Sequence, residues 1–273
     1  MKKLLLFVLV ALWGPLANAQ VVVAPTILFM SDHSPFGTFL VINKSTVPQE
    51  ISVSFRFGYP ESDSLGNVRM QYDDSLAAEK HSCEGWIRGF PEKFILNPEQ
   101  QQVVRLLISA PPGMADGEYW TRLITSSTPQ AKMIDTVKGG ITANITFVLQ
   151  QVTTVIYEKG NVNTSVSIPE VSAYPDSASF TLVAHISRGG NSPFLGTISA
   201  VVKNRVDSVV YSDQQVIAIY RSDMYTRFNI PLAKLQSGRY TAELKLKSRR
   251  ADVPDQDLLK VAPIKKAITF SVQ

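Results

Sequence analysis

The chain has 273 residues, of which 45% are hydrophobic and 18% are charged, and it contains a single cysteine, Cys83. This composition excludes an intrinsically disordered chain, and the lone cysteine excludes both a disulfide scaffold and a cysteine-based zinc site. A formal net charge of +4 is too small to indicate a nucleic-acid-binding protein.

The first twenty residues have the pattern of an export signal. Lys2-Lys3 precedes an apolar run, Leu4–Leu12, and Ala17-Asn18-Ala19 places small residues where a signal peptidase cuts. The apolar run is short for a bilayer span, which disfavours the alternative of an N-terminal membrane anchor. We therefore expect a signal peptide over residues 1–19, a periplasmic location and no stable membrane insertion.

Short β-prone runs bounded by turn residues follow. Asp74–Lys80 is the one stretch for which we predict a helix, of one or two turns. Regular short strands of this kind predict an antiparallel β-sandwich. The predicted strands are Val21–Met30, Gly37–Asn43, Ile51–Tyr59, Val68–Tyr72, Lys93–Leu96, Gln102–Ser109, Tyr119–Ser126 and Ile141–Tyr157.

A second set of strands begins after Gly160-Asn161. Its predicted members are Thr164–Ile168, Ser179–Ile186, Gly196–Lys203, Ser208–Tyr211, Val216–Tyr220, Tyr225–Pro231, Gly238–Lys247 and Ala267–Val272. Ser237-Gly238-Arg239-Tyr240 enters its strand as Asp116-Gly117-Glu118-Tyr119 does in the first set. We predict an all-β protein with two sandwich domains, 20–160 and 161–273, and an exposed loop at Arg249–Val261.

The sequence contains no catalytic constellation, so an enzyme is not expected, nor is a cofactor. His81-Ser82-Cys83 could place a thiol beside a base, but a surface histidine next to a half-buried cysteine in a loop is the favoured interpretation. Asp252, Asp255 and Asp257 could hold calcium, yet their spacing matches no EF-hand, and a solvated acidic loop without a metal is favoured.

Ile141–Tyr157 is long for a strand, and its large apolar residues alternate. Ile145, Phe147 and Leu149 share one face, and more polar residues occupy the other. This pattern allows two interpretations. The strand is either ordinary core with polar residues outward, or an edge strand whose bulky row is offered to another protein chain.

Several first-domain segments resemble the PapD-like periplasmic pilus chaperones. Phe94–Pro98 followed by Gln102–Leu106 resembles a strand of that family with its proline and arginine, and Pro111–Tyr119 resembles its P-x-G-x-x-D-G-E-Y loop. Val23–Thr26 resembles the first strand, commonly written S-P-T-R, and Asn43-Lys44 falls at the family's second-strand turn. Together these segments cover about residues 21–157.

The resemblance implies two immunoglobulin-like domains and a donor strand that completes an unfinished pilus subunit. It assigns Ile145, Phe147 and Leu149 to the subunit-binding row. The family also holds a subunit carboxylate with an arginine and a lysine, but these anchor positions are not preserved here, because they read Ile27 and Thr154. Neither has a basic neighbour in the chain, and Thr154→Lys is expected to leave folding unharmed.

Two functions are therefore expected from different classes of protein. The first is a chaperone that binds secreted pilin-like subunits by donor-strand complementation, with an outer-membrane usher as the further partner that the resemblance implies. The alternative is a structural or adhesive envelope sandwich without chaperone activity.

Overall fold

A computed structural model describes residues 21–130, 147–176 and 178–272. The predicted signal peptide and Ile145 lie outside these residues. The strands of the first set are β1 (Val21–Ala24), β2 (Ile27–Ser31), β3 (Phe36–Asn43), β4 (Gln49–Arg56), β5 (Tyr59–Ser62), β6 (Val68–Gln71), β7 (Ile87–Phe90), β8 (Lys93–Leu96), β9 (Gln101–Ile108), β10 (Gly117–Pro129) and β11 (Leu149–Lys159).

The second set occupies the remainder of the described chain. Its strands are β12 (Thr164–Pro175), β13 (Ser179–Gly190), β14 (Phe194–Lys203), β15 (Val209–Ile219), β16 (Asp223–Pro231), β17 (Gly238–Lys247) and β18 (Ile264–Val272). The strands Ser208–Tyr211 and Val216–Tyr220 were wrongly predicted as separate, because they form the single strand β15. This strand lies at the edge of its sheet, where its polar middle residues remain exposed.

Two sheets form the first sandwich, in the orders β1-β3-β9-β7 and β2-β11-β10-β4-β8, and β5 and β6 form a separate hairpin. Alternating side chains from both sheets make one core, which includes Phe39, Leu106, Leu123 and Val155. The second sandwich has the orders β12-β13-β16 and β15-β14-β17-β18 around its own core. The predicted all-β fold with two immunoglobulin-like sandwiches is confirmed.

The predicted strand Val21–Met30 is in fact two strands in different sheets. β1 pairs with β3 in the first sheet, whereas β2 pairs in parallel with β11 in the other. The break falls at Pro25, which has no N–H group to donate to a ladder. The change of sheet determines how much of β11 is covered by a neighbouring strand.

The two similar Gly-x-Tyr segments have the same structural role. Tyr119 donates a hydrogen bond from its hydroxyl to the carbonyl of Ala115, and Tyr240 donates to the carbonyl of Gln236, at 2.9 and 2.8 Å. Each tyrosine stands near the start of its strand and bonds back to the preceding loop, as in the tyrosine corner of immunoglobulin-type sandwiches.

The predicted helix is confirmed as α1, Ser75–His81, with the Asp74 carboxylate accepting a hydrogen bond from the Ala77 N–H group at its N-terminus. Among the described residues, the helices lack the length and apolar character that a membrane span requires.

The expectation of an exposed loop at Arg249–Val261 is wrong for its apolar side chains. Val253 and Leu258 are buried in a cluster with Ile27, Trp120 and residues of the second domain. The polar character of the segment belongs to its outward side chains, so hydrophobic burial holds the segment against the first domain.

Candidate functional site

β11 is an inner strand over its second half and an edge strand over its first. It pairs with β10 along its whole length, from Leu149 opposite Ser127 to Lys159 opposite Gly117. On its other side, β2 begins to pair only at Thr154, opposite Ile27. The backbone from Leu149 to Val152 therefore has no strand on that side within the described chain, and such an edge is a template for another strand.

The predicted subunit-binding row lies at this open end. Phe147, two residues before Leu149, is 77% exposed, and Leu149 is 40% exposed. The register with β10 is uninterrupted, so Leu149 shares a face with Val155 and Tyr157, which belong to the core of the first sandwich. The exposed row is therefore an outward continuation of a core row.

The two carboxylate-anchor positions are direct neighbours. Ile27 and Thr154 are paired across β2 and β11, and Arg122 on β10 is the next residue in the same row, opposite Thr154. Arg122 donates from Nε to the Gly58 carbonyl at 2.9 Å and from Nη1 to the Thr154 hydroxyl. Thr154 has no basic residue beside it in the sequence. The adjacent strand β10 instead places Arg122 next to it.

The sequence did not indicate Arg122, because only the register between β10 and β11 brings it next to Thr154. The residue is buried, and its Nη2 has no hydrogen-bond partner within the described residues. The ring of Tyr220, from the second domain, lies 4.8 Å from the guanidinium carbon, an attractive cation–π distance. The anchor positions consequently face the contact between the two domains.

An aromatic cluster centred on Trp120 forms this contact. Its indole packs against Phe57 and Tyr220, with ring centroids 5.6 and 4.8 Å away, and it stacks on His81 at 4.9 Å. Burial lowers the pKa of His81, and nearby Arg221 lowers it further. His81 is therefore half-buried rather than freely exposed as predicted, because α1 directs the imidazole onto the buried indole.

Cys83 is fully buried, although the sequence predicted a half-buried thiol. Its N–H group donates to the Trp120 carbonyl at 3.3 Å, and burial raises the pKa of the thiol far above its usual range. Burial keeps reagents away from the sulfur, and the raised pKa leaves little thiolate at neutral pH. Both effects disfavour a nucleophilic role for Cys83.

We expect native Cys83 to react with a thiol reagent at least about a hundredfold more slowly than in the unfolded chain. The chain has no other cysteine, so the chromophore released from an aromatic disulfide reagent reports this thiol alone. Equal rates in native buffer and in urea would contradict the buried environment.

The acidic residues of the Arg249–Val261 segment do not converge on one point. Asp252 pairs with Arg250 at 2.5 Å and accepts a hydrogen bond from Thr26. Among the residues that the structure describes, no three His, Cys, Asp or Glu side chains are grouped so as to hold a metal ion.

Several solved structures are similar to this chain at low sequence identity. It is similar to the YadV chaperone, with 9% identity, a TM-score of 0.46 and coverage of 92% of this chain and 100% of that chain. It is also similar to the Salmonella enterica SafA pilin–SafB chaperone complex, with 13% identity, a TM-score of 0.47 and coverage of 92% and 97%.

A third similar structure is the CsuC–CsuE chaperone–tip subunit complex of Acinetobacter baumannii, with 10% identity, a TM-score of 0.46 and coverage of 92% and 98%. No family model and no curated protein matches the chain.

Proposed function

We propose that this protein is a periplasmic chaperone that binds secreted pilus-type subunits by lending them the open edge of β11. The observation that carries the proposal is the backbone from Leu149 to Val152, which pairs with β10 on one side and has no strand on the other within the described residues, beside exposed Phe147 and Leu149. A subunit that lacks a strand exposes apolar core and unpaired backbone groups, and an added strand with large apolar side chains covers both.

The predicted export signal and the resemblance of Pro111–Tyr119 to a chaperone loop support the same function. Delivery to an outer-membrane usher remains a prediction from that resemblance. The anchor row differs from the family, since Ile27 and Thr154 stand at the two basic positions and Arg122 lies beside Thr154, and all three residues are buried. We therefore assign subunit binding to the β11 edge rather than to a carboxylate anchor.

Phe147→Ala is expected to remove most of the subunit that co-purifies from periplasmic extract, while the denaturation midpoint changes little. An exposed side chain has little packing to lose in the free protein, yet a large aromatic residue at an interface is often a binding hot spot. Quantitative mass spectrometry of the purified complex measures the stoichiometry, which we expect to be one to one.

The matched control is Phe36→Ala, because Phe36 is 69% exposed on β3 of the opposite sheet. It should retain the subunit. If Phe147→Ala unfolds the protein and the wild type never binds a subunit, the β11 row is ordinary core and the structural sandwich is the better assignment.

A further inference from the structure

The contact between the two domains contains a titratable ring. His81 is the last residue of α1, and its imidazole stacks on the indole of Trp120, with 4.9 Å between the ring centroids and 14° between the ring planes. The same indole packs against Tyr220 of the second domain. A change in the charge of His81 therefore acts at the centre of the contact.

Two basic residues of the second domain place positive charge near this ring. Arg221 reaches across the contact, and its guanidinium carbon lies 5.7 Å from the ring centroid of Tyr59, a member of the same aromatic cluster. Arg188 donates hydrogen bonds to the carbonyls of Tyr220 and Arg221, which fix its charge at the same place. Both guanidinium groups repel a proton on His81.

The first domain adds further positive charge. Lys80 precedes His81 in α1, and Arg122 follows Trp120 by two residues on the same face of β10. The C-terminal carbonyl groups of α1 attract a cation, but the helix has only seven residues, so this attraction is small. A protonated imidazole would therefore be surrounded mainly by like charges.

Two carboxylates lie beside the cluster, and both already accept hydrogen bonds. Asp74 accepts from the hydroxyl of Tyr59, and Glu84 accepts from the N–H group of Phe57 at 2.6 Å. Asp74 favours a proton on His81, but its effect is smaller than those of burial and of the two arginines. Neither carboxylate forms an ion pair with the imidazole.

The neutral form of His81 is consequently favoured in the folded protein. Burial is the largest cause that lowers the pKa of the imidazole, and Arg221 and Arg188 lower it further. A histidine in an unfolded chain has a pKa of about 6.5. As the pH falls below this value, the opened or unfolded state takes up a proton before the closed state does, and stability is lost.

We propose that protonation of His81 weakens the contact between the two domains and makes this contact sensitive to mild acid. A charge on the ring places a third cation beside Arg188 and Arg221 and removes its hydration by stacking it on a buried indole. The site is separate from the open edge of β11, so the effect does not depend on subunit binding.

The test compares the full chain with His81→Phe by urea denaturation at pH 5, 6, 7 and 8. Phenylalanine keeps an aromatic ring on Trp120 but cannot bind a proton. The ratio of the wild-type unfolding constant to that of the variant should rise at least about threefold from pH 8 to pH 5, because only the wild type gains a proton at this position. Titrating groups common to both proteins cancel in the ratio.

An exposed histidine of the first domain provides the matched control. His33→Gln should follow the wild type closely over the whole pH range. His81→Gln is a second variant that cannot titrate, should His81→Phe fail to fold. In the wild type itself, NMR titration of the His81 ring should give a midpoint below that of the unfolded chain.

Hydrogen exchange reports the opening of the contact directly. The indole N–H group of Trp120 is buried, so its exchange requires the contact to open. The ratio of its exchange rates in the wild type and in His81→Phe should rise from pH 8 to pH 5 as the ratio of unfolding constants does. Constant ratios, or a His81 ring that titrates at or above the value of the unfolded chain, would overturn the proposal.

Discussion

Replacing Trp120 with alanine is expected to lower the free energy of unfolding by about 3–5 kcal/mol. Trp120 is among the largest fully buried side chains, and it packs against Phe57, His81 and Tyr220 at once. A cavity at this point removes the centre of the contact between the domains, where collapse of the surrounding rings is limited. Chemical denaturation monitored by circular dichroism measures the effect.

Two variants make this experiment specific. Trp120→Phe should recover most of the stability, because a smaller ring still stacks against its neighbours. Trp86→Ala, at a half-buried tryptophan that packs on Tyr119 within the first sandwich, should cost less. A larger loss for Trp86→Ala than for Trp120→Ala would show that the domains are held together by other contacts.

Thr154→Lys is expected to destabilise the protein by about 3–5 kcal/mol, contrary to what the sequence alone indicated. Thr154 is 8% exposed, and its hydroxyl accepts a hydrogen bond from Arg122. A lysine there would bury a second cation beside the guanidinium, whose Nη2 has no hydrogen-bond partner within the described chain. The thermal midpoint and the denaturant midpoint should both fall.

Two companion variants separate the effect of the buried charge from the effect of steric crowding at position 154. Thr154→Val removes only the hydroxyl and should cost about 1–3 kcal/mol, because Nη1 of Arg122 loses its acceptor. Combining Thr154→Lys with Arg122→Gln should restore part of the stability, since a single buried cation then remains. Wild-type stability in Thr154→Lys alone would show that the position is open to solvent, as a carboxylate-binding lysine requires.

The two halves of β11 differ in how far its neighbours cover them. The open end is exposed because β2 joins the sheet late, at Thr154. Ile156, in the covered half, is buried because the second domain and the Arg249–Val261 segment pack over it.

The sequence by itself determined the fold class and many of the strands. The β-prone run Lys93–Leu96, which ends at Asn97-Pro98, predicted that strand to the residue, and the two Gly-x-Tyr segments predicted equivalent positions in the two sandwiches. These features are local, because side-chain alternation and turn residues act over a few positions of the chain. The alternating residues Phe147 and Leu149 were likewise visible before the structure.

Only the tertiary structure decided which residues meet across strands and domains. Arg122 lies 32 positions from Thr154 in the chain, yet antiparallel register brings the two side chains into contact. In the same way, register pairs Glu118 with Glu158, and domain packing buries Val253 within a segment that looks polar. Register and packing depend on the summed burial of many distant side chains, so no local pattern specifies them.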